Sequence, residues 1–375
     1  MRFPFRRLSS SSGSRSSPMS PLSPIAPPIL PFGSPQPQQL FGVPFGATPA
    51  IAGIDQIQRM RDQDAMHHLM VEPTHSKYIH SHLAKVHASG RRSAVLDIGS
   101  LTSASSSTTT FPLALINKSQ YAVLRFPPPR HSRMWNQTGS WATALANKEP
   151  FADVVAIAAD WKPFVRQRII HGNLDVSTVD INQHLPYPSG SFEKHTNLAA
   201  PDIIQVKSLA RSHRQYPILV ERLIRLLRRG GLLILVESHT CYENPTGMGL
   251  PTCLRTWDAS VRSALAAQGY DARMASKLPF LVRGAGVFGN TAFVQEIGIP
   301  TTSYPQQGMN NIAQAGALHA RTLPAEMSSF MPLLRQHGYD ERSIQAMIDE
   351  CLHCLLNPQA RFLQRLVAVY AFKMV

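Results

Sequence analysis

The stretch Ala94-Val95-Leu96-Asp97-Ile98-Gly99 decides the fold that this sequence predicts. It is a compact, mainly apolar run, which indicates a buried parallel strand rather than an edge strand with one solvated face. The glycine that ends the run allows a sharp turn, so backbone amides of the next loop can approach the charged end of a ligand. The stretch therefore predicts the first strand of a ligand-binding sheet.

Strands and helices alternate after this stretch. Two helices, 54–70 and 78–87, are expected before it, with Pro73 interrupting them. Gly230-Gly231 is expected to end a helix and release the chain into the next strand. The alternation predicts a doubly wound, Rossmann-like α/β fold with a helical insertion before the last strand. Further strands are expected at 153–158, 178–181, 202–206, 232–236, 287–297 and 366–372, and further helices at 140–146, 216–228, 258–268, 314–336 and 341–355.

Much of the positive charge lies in two low-complexity segments. The 375-residue chain has a formal net charge of +14, and in residues 1–54 and 101–137 every charged side chain is basic. Both segments are rich in proline, serine or threonine, and such compositions bury too little apolar surface to offset chain entropy. We therefore predict a disordered Pro/Ser-rich tail over 1–54 and one domain over 55–375, interrupted by a low-complexity insertion at 101–137.

Several classes of protein are excluded by simple patterns. The arginines of 222–229 have no interleaved aromatic side chains, so we expect no nucleic-acid partner. No apolar run approaches the ~20 residues that span a bilayer, and the N-terminal segment lacks the apolar core of a secretion signal. We expect no membrane partner and a cytoplasmic location, with mitochondrial or nuclear destinations left open. Cys351-Leu352-His353-Cys354 lies in a helical pattern and indicates buried thiols, so no metal is expected.

Later pieces of the sequence continue the pattern that Asp97 and Gly99 begin. They are, in order, Thr138-Gly139-Ser140-Trp141, Asp180-Ile181-Asn182, Leu185-Pro186-Tyr187-Pro188, Arg225-Leu226-Leu227-Arg228 and Gly230-Gly231-Leu232. This succession resembles the class I S-adenosylmethionine (SAM)-dependent methyltransferases, in particular the small-molecule type common among fungal methyltransferase-domain proteins. The resemblance covers residues 55–375 and implies a seven-stranded sheet, with the insertion 101–137 inside the cofactor loop.

The resemblance implies SAM as the cofactor and assigns residues to its parts. The residues after the first strand shape the pocket for the amino-acid end of SAM. An acidic residue after the second strand binds the ribose hydroxyls, because a carboxylate accepts from both at once. The expected slot for that acid falls at Ala158, and the nearest acid is Asp160. A third acid, at Asp180, caps the adenine amino group, and its apolar neighbour Ile181 packs on the ring. The cofactor-binding set is Asp97, Gly99, Gly139, Asp160, Asp180 and Ile181.

Catalytic residues are expected at the carboxyl edge of the sheet, where open α/β folds bind their ligands. Glu237 and His239 come just past the predicted fifth strand, and they are the candidates for a base or an acceptor contact. Each can also simply cap the end of the strand. The predicted function is methyl transfer to a small-molecule acceptor. The identity of the acceptor, the atom methylated and the oligomeric state stay open.

Two other functions fit parts of the sequence. A methyltransferase-fold protein without catalysis, serving binding or regulation, follows if the insertion 101–137 separates Gly139 from Gly99. A dinucleotide-dependent oxidoreductase is disfavoured, because no Gly-x-Gly-x-x-Gly follows the first strand.

Overall fold

Buried aliphatic strands form the centre of the protein. The structure is a computed structural model, and it describes residues 49–98, 140–158, 172–178, 200–211, 213–303, 310–357 and 359–374. The strands are β1 (Ser93–Ile98), β2 (Ala152–Ala158), β3 (Leu174–Thr178), β4 (Ile203–Lys207), β5 (Leu232–Glu243), β6 (Phe293–Pro300) and β7 (Leu363–Phe372). The predicted tail 1–54 lies outside the described residues except for the start of the first helix, and the insertion 101–137 lies wholly outside them.

These strands form a single seven-stranded sheet in the order β3-β2-β1-β4-β5-β7-β6. Strands β1 to β5 pair in parallel, and β7 runs antiparallel between β5 and β6. Every residue of β1 is buried, as expected for a parallel strand that is covered on both faces. The predicted α/β fold with a seven-stranded sheet is therefore confirmed.

Helices cover both faces of the sheet. They are α1 (Pro49–Ala88), α2 (Ser140–Lys148), α3 (Tyr216–Leu226), α4 (Thr252–Ala267), α5 (Met274–Gly284), α6 (Asn310–Ser328), α7 (Met331–Gln336) and α8 (Glu341–Leu355). Helices α1, α2 and α6 pack on one face, and α3 and α5 pack on the other. Helix α4 joins α6, α7 and α8 in a third apolar core. Helices α6 to α8 follow β6 and precede β7, which confirms the predicted helical insertion.

Helix α1 corrects the prediction of two helices broken at Pro73. The helix is 40 residues long in total and continues through that proline. A proline inside a helix removes one hydrogen bond and costs about 3 kcal/mol. Met66 and Leu83, on either side of it, are 2% and 0% exposed. Burying such side chains stabilises by roughly 1.5–3 kcal/mol each, which is enough to carry the helix across the proline.

Other boundaries also differ from the prediction. Strand β3 ends at Thr178, where a strand was expected to begin, and β6 begins at Phe293 rather than at 287. Helix α5 was not predicted. Strand β5 extends to Glu243 instead of ending near 236, because its second half pairs with the start of β7 beyond a register shift.

The glycine pair releases the chain into β5 as predicted, but it does not end the helix, because α3 stops at Leu226 with Leu227 as its C-cap. Gly230 has a φ of 80°, a left-handed conformation that strains other residues. A Cβ on Gly231 would lie 2.9 Å from the carbonyl oxygen of Arg228 and 3.0 Å from that of Asp202, so only glycine fits there. The chain then enters β5 at Leu232. Among the described helices, none has both the length and the apolar character needed to cross a membrane.

Candidate functional site

The carboxyl ends of β1, β4 and β5 meet at one edge of the sheet because these strands are parallel. Asp97 in β1 is paired with Gln205 in β4, and Gln205 is paired with Ile234 in β5. Ile234 in turn lies opposite Tyr370 in β7. Residues at paired positions point to the same face, so this row of side chains runs across the centre of the sheet below α1. Helix α1 contributes His75 to it.

Four buried side chains in this row are linked by hydrogen bonds, and we name them the Asp97 relay: Asp97, Gln205, His75 and Tyr370. The Tyr370 hydroxyl lies 2.8 Å from His75 Nδ1, and His75 Nε2 lies 3.1 Å from Gln205 Oε1. Gln205 Nε2 donates to Asp97 Oδ1 at 3.3 Å. The four side chains are at most 5% exposed.

The chemistry of the relay gives each hydrogen bond one direction. Gln205 donates from its amide nitrogen to Asp97 and therefore presents its oxygen, which only accepts, to His75. His75 therefore carries its proton on Nε2, and Nδ1 accepts from Tyr370. Burial raises the pKa of Tyr370, which keeps that hydroxyl protonated. The orientation of the predicted cofactor residue Asp97 is thus set from β7 and α1.

The loop after β4 is held by Glu237. Ser208 begins the loop in the left-handed region with a φ of 56°, and its N–H donates to Val236 O at 2.9 Å. Such a conformation is uncommon for a serine and is found mainly at turns and functional sites. The next N–H, of Leu209, donates to Glu237 Oε1 at 2.8 Å, and the N–H of Ala210 also stabilises the carboxylate.

The environment of Glu237 favours a positioning role over the predicted role of base. Its side chain is 2% exposed and already accepts from the loop. Burial raises its pKa to about 7, although the loop amides, Tyr216 and Arg211 act in the opposite direction. The prediction that Glu237 and His239 lie just past the fifth strand is wrong, because β5 continues to Glu243.

His239 contributes mainly its backbone to the local hydrogen bonds. Its carbonyl oxygen accepts from Arg211 Nη2 at 2.8 Å and from Gln364 Nε2 at 3.3 Å. Its ring is half-buried, and Nδ1 lies 3.9 Å from Cys241 Sγ. Burial lowers the pKa of His239. The ring is therefore neutral near pH 7, and its role as an acceptor contact stays a prediction.

The structure does not bring all predicted site residues together. Side chains alternate between faces along a strand, so Asp97 points towards α1 and Glu237 towards α3 on the opposite face. The remaining predicted cofactor residues lie outside the described residues: Gly99, Gly139, Asp160, Asp180 and Ile181.

A second polar cluster at the same edge was not predicted, and we name it the α6 cluster: Arg211, Glu326, His319, His67 and Gln364. Glu326 Oε1 accepts from Arg211 Nη1 at 3.0 Å and from Gln364 Nε2 at 2.9 Å. Burial raises the pKa of Glu326, but Arg211 and His319 outweigh it and hold the pKa below its ordinary value. These residues come from α1, the loop after β4, α6 and β7, and no local sequence pattern connects them.

Three of the four thiols lie together between α4 and α8. Cys253 Sγ in α4 lies 3.1 Å from Cys354 Sγ in α8, and Cys351 Sγ contacts the carbonyl oxygen of Cys253. All four cysteines are free. Burial raises the pKa of Cys354 to about 11, so this thiol is protonated near pH 7. In the part of the chain that the structure describes, no three metal-ligating side chains are placed to hold an ion.

Comparison with known proteins gives similarity in structure only. No protein-family model matches the chain, and no curated protein matches it. Solved structures do match. A phosphoethanolamine N-methyltransferase from Haemonchus contortus, in complex with S-adenosylhomocysteine, is 12% identical with a TM-score of 0.37. The match covers 78% of this chain and 52% of that one, so this chain spans about half the length of that enzyme.

Two further matches have similar scores. A coclaurine N-methyltransferase bound to S-adenosylhomocysteine is 13% identical with a TM-score of 0.36, covering 78% of this chain and 72% of that one. The [4+2]-cyclase SpnF is 15% identical with a TM-score of 0.36, covering 76% of both chains. Two of these three solved structures are N-methyltransferases that hold S-adenosylhomocysteine, and the third is a cyclase.

Proposed function

We propose that the protein is a SAM-dependent methyltransferase that transfers a methyl group to a small-molecule acceptor. The observation that carries the proposal is the Asp97 relay at the carboxyl end of the first central strand. In open α/β sheets, ligands bind outside the carboxyl ends of the strands, near the point where the strand order reverses. Strand β1 lies at that point, between β2 and β4.

The residues at this edge fit the chemistry of SAM, which carries a cationic ammonium group and a cationic sulfonium. Asp97 supplies a carboxylate whose direction is fixed by Gln205. The loop after β4 is held in place by Glu237, with its first residue already in a strained conformation. A fixed loop and a fixed carboxylate lower the entropy lost when a ligand binds.

SAM, when bound, supplies a methyl group that is already activated for transfer. The protein then needs mainly to hold the acceptor in line with that methyl group, and such positioning can lower the barrier by about 7 kcal/mol or more. The α6 cluster lies at the same edge, and its Glu326 and Gln364 are largely buried. A polar cluster whose side chains are largely buried presents little surface to a macromolecule, which favours a small acceptor.

Isothermal titration calorimetry with SAM tests the proposal. We expect the full chain to bind SAM in the micromolar range and Asp97→Asn to bind at least about tenfold more weakly, since a buried charged contact is worth roughly 1.5–3 kcal/mol. Asp153→Asn is the matched control, because Asp153 is an aspartate of β2 that pairs with Arg92 at 2.7 Å on the exposed surface. A variant lacking residues 101–137 tests whether the insertion blocks the cofactor loop.

The outcomes distinguish a methyltransferase from a protein that does not bind SAM and from one that binds SAM without catalysis. Binding by the full chain or by the shortened variant supports the proposal. Absence of binding by both chains contradicts it, and so does equal binding by Asp97→Asn and Asp153→Asn. Binding without any methylated product across a panel of acceptors favours the non-catalytic alternative.

A further inference from the structure

The α6 cluster contains two buried histidines that face each other from different helices. His67 on α1 is 3% exposed, and His319 on α6 is fully buried. His67 precedes His75 by eight residues, which is about 12 Å along the helix at 1.5 Å per residue. The cluster thus lies beside the Asp97 relay, farther towards the carboxyl edge. Each histidine has one ring nitrogen without a hydrogen-bond partner among the described residues: Nδ1 of His67 and Nε2 of His319.

The protonation of His319 follows from its one hydrogen bond. Its Nδ1 lies 2.8 Å from the carbonyl oxygen of Pro300. A carbonyl only accepts, so Nδ1 carries the proton, and the neutral ring has its lone pair on Nε2. That lone pair is enclosed in the protein, where an unpaired polar atom costs roughly 1–3 kcal/mol.

Glu326 faces the same lone pair. Its Oε2 lies 3.9 Å from His319 Nε2, which is beyond hydrogen-bonding distance. A carboxylate oxygen and an imidazole lone pair are both acceptors, so neither satisfies the other. A hydroxyl placed beside them can donate to one of the two, and an amine with two N–H groups can donate to both. No described residue supplies such a donor to His319 Nε2. A bound molecule that carries an O–H or N–H group can therefore complete the arrangement.

Burial keeps the His319 ring neutral near pH 7 against the charged and titratable groups around it. Burial lowers the pKa of His319, although Glu326 on the same helix and the carbonyl of Pro300 act in the opposite direction. From the other elements, His67 on α1 faces it, with Arg211 and Lys207 close to His67. Burial lowers the pKa of His67 as well, and those neighbours reinforce the effect.

We propose that His319 is the general base of a methyl transfer to a small alcohol, phenol or amine, and that Glu326 stabilises the proton that His319 takes up. This inference rests on the proposed function. The acceptor donates its O–H or N–H hydrogen bond to His319 Nε2. As the acceptor atom forms its bond to the methyl carbon, the carbon–sulfur bond breaks and its electron pair stays on sulfur. The acceptor proton moves to His319 Nε2, and the carboxylate of Glu326 stabilises the imidazolium until the proton leaves to solvent.

The geometry also explains why Glu326 is held as an anion. Its other oxygen, Oε1, accepts from Arg211 and Gln364. These two donors fix the carboxylate so that Oε2 stays turned towards His319. Glu326 is therefore charged before the acceptor binds, as required of a group that stabilises an imidazolium.

Nitrogen-15 NMR of the full chain, labelled at histidine, tests the state of His319 without any acceptor. The His319→Gln variant assigns its signals by their loss, and His80→Gln on α1, whose side chain pairs with Glu149, is the control. We expect His319 at pH 7.5 to show an Nδ1–H tautomer with an unprotonated Nε2. An Nε2–H tautomer or an imidazolium at that pH overturns the proposal.

Calorimetry and turnover then locate the residue on the acceptor side. We expect His319→Gln to bind SAM within about twofold of the unmodified chain, and a tenfold loss would instead make His319 a cofactor residue and overturn the proposal. In a panel of small alcohols, phenols and amines, His319→Gln should lower kcat about 100-fold or more for any compound that the unmodified chain methylates. Unchanged kcat overturns the proposal. If the unmodified chain fails to bind SAM, it is the proposed function that fails, while the NMR result still reports on His319.

Discussion

The buried carboxyl of Glu237 makes the stability of the protein depend on pH in one direction. Its pKa is raised from 4.5 to about 7 by burial. A raised pKa means that the folded state binds the proton more tightly than the unfolded state does, so stability is full below pH 4.5 and is lost as the pH rises through 7. The shift corresponds to a total of roughly 3 kcal/mol, of which about 2.5 kcal/mol is lost between pH 5 and pH 8.

The perturbation is Glu237→Gln, which keeps an oxygen for the N–H of Leu209 but cannot titrate. Urea unfolding at pH 5, 6, 7 and 8 gives the free energy of unfolding of each variant. We expect the difference between the unmodified chain and Glu237→Gln to change by about 2.5 kcal/mol over this range, in favour of the glutamine variant at high pH.

The matched control is Glu221→Gln on α3, where the glutamate is 60% exposed and pairs with Arg225. Its difference from the unmodified chain should stay nearly constant with pH. If Glu237→Gln and the unmodified chain give parallel curves from pH 5 to pH 8, the carboxyl titrates normally. That result would show that burial does not raise the pKa of Glu237.

Three further results are expected. Gly316→Ala should destabilise the protein by about 1–3 kcal/mol in urea unfolding, because the new Cβ would lie 2.3 Å from Thr302 O. The control Gly284→Ala has open space around the new Cβ and should be neutral or stabilising, so equal effects of the two substitutions would contradict the packing around Gly316. Tyr370→Phe removes the donor to the relay and should weaken SAM binding by about 1 kcal/mol, roughly fivefold by calorimetry, with unchanged affinity arguing against the relay. The oxidant diamide should form a disulfide between Cys253 and Cys354, because their sulfurs lie 3.1 Å apart. Peptide mass spectrometry detects the disulfide, and disulfides between other cysteine pairs would disprove this proximity.

The parts of the fold that depend on neighbouring residues could be predicted from the sequence. Strand β1 was recognisable because all of its side chains are buried and its composition is apolar. Helix α8 was predicted at its observed bounds, 341–355, and Asp340 begins it by accepting from the Ser343 N–H at 2.9 Å. Such local signals need no knowledge of the rest of the chain.

The parts that depend on distant residues could not be predicted. Helix α1 continues through Pro73 because the sheet and α6 cover it, and this burial is not visible locally. Strand β5 runs past Glu237 because β7 pairs with its second half. The positioning role of Glu237 could not be predicted for the same reason, since its partner Leu209 comes from a different loop. Of the predicted site, Asp97 was found at the expected strand end, whereas His319 and Glu326 carried no motif.

The hydrogen bond between Tyr370 and His75 also bears on how the protein is made. The two residues are 295 positions apart in the chain. At a synthesis rate of about 5–20 residues per second, His75 leaves the ribosome roughly 15–60 seconds before Tyr370. Throughout that interval the nascent helix α1 carries an apolar face over an incomplete sheet and a histidine without its tyrosine. The pairing of β7 between β5 and β6 ends this interval, so molecular chaperones that shield apolar helices have their opportunity to act before that strand is added.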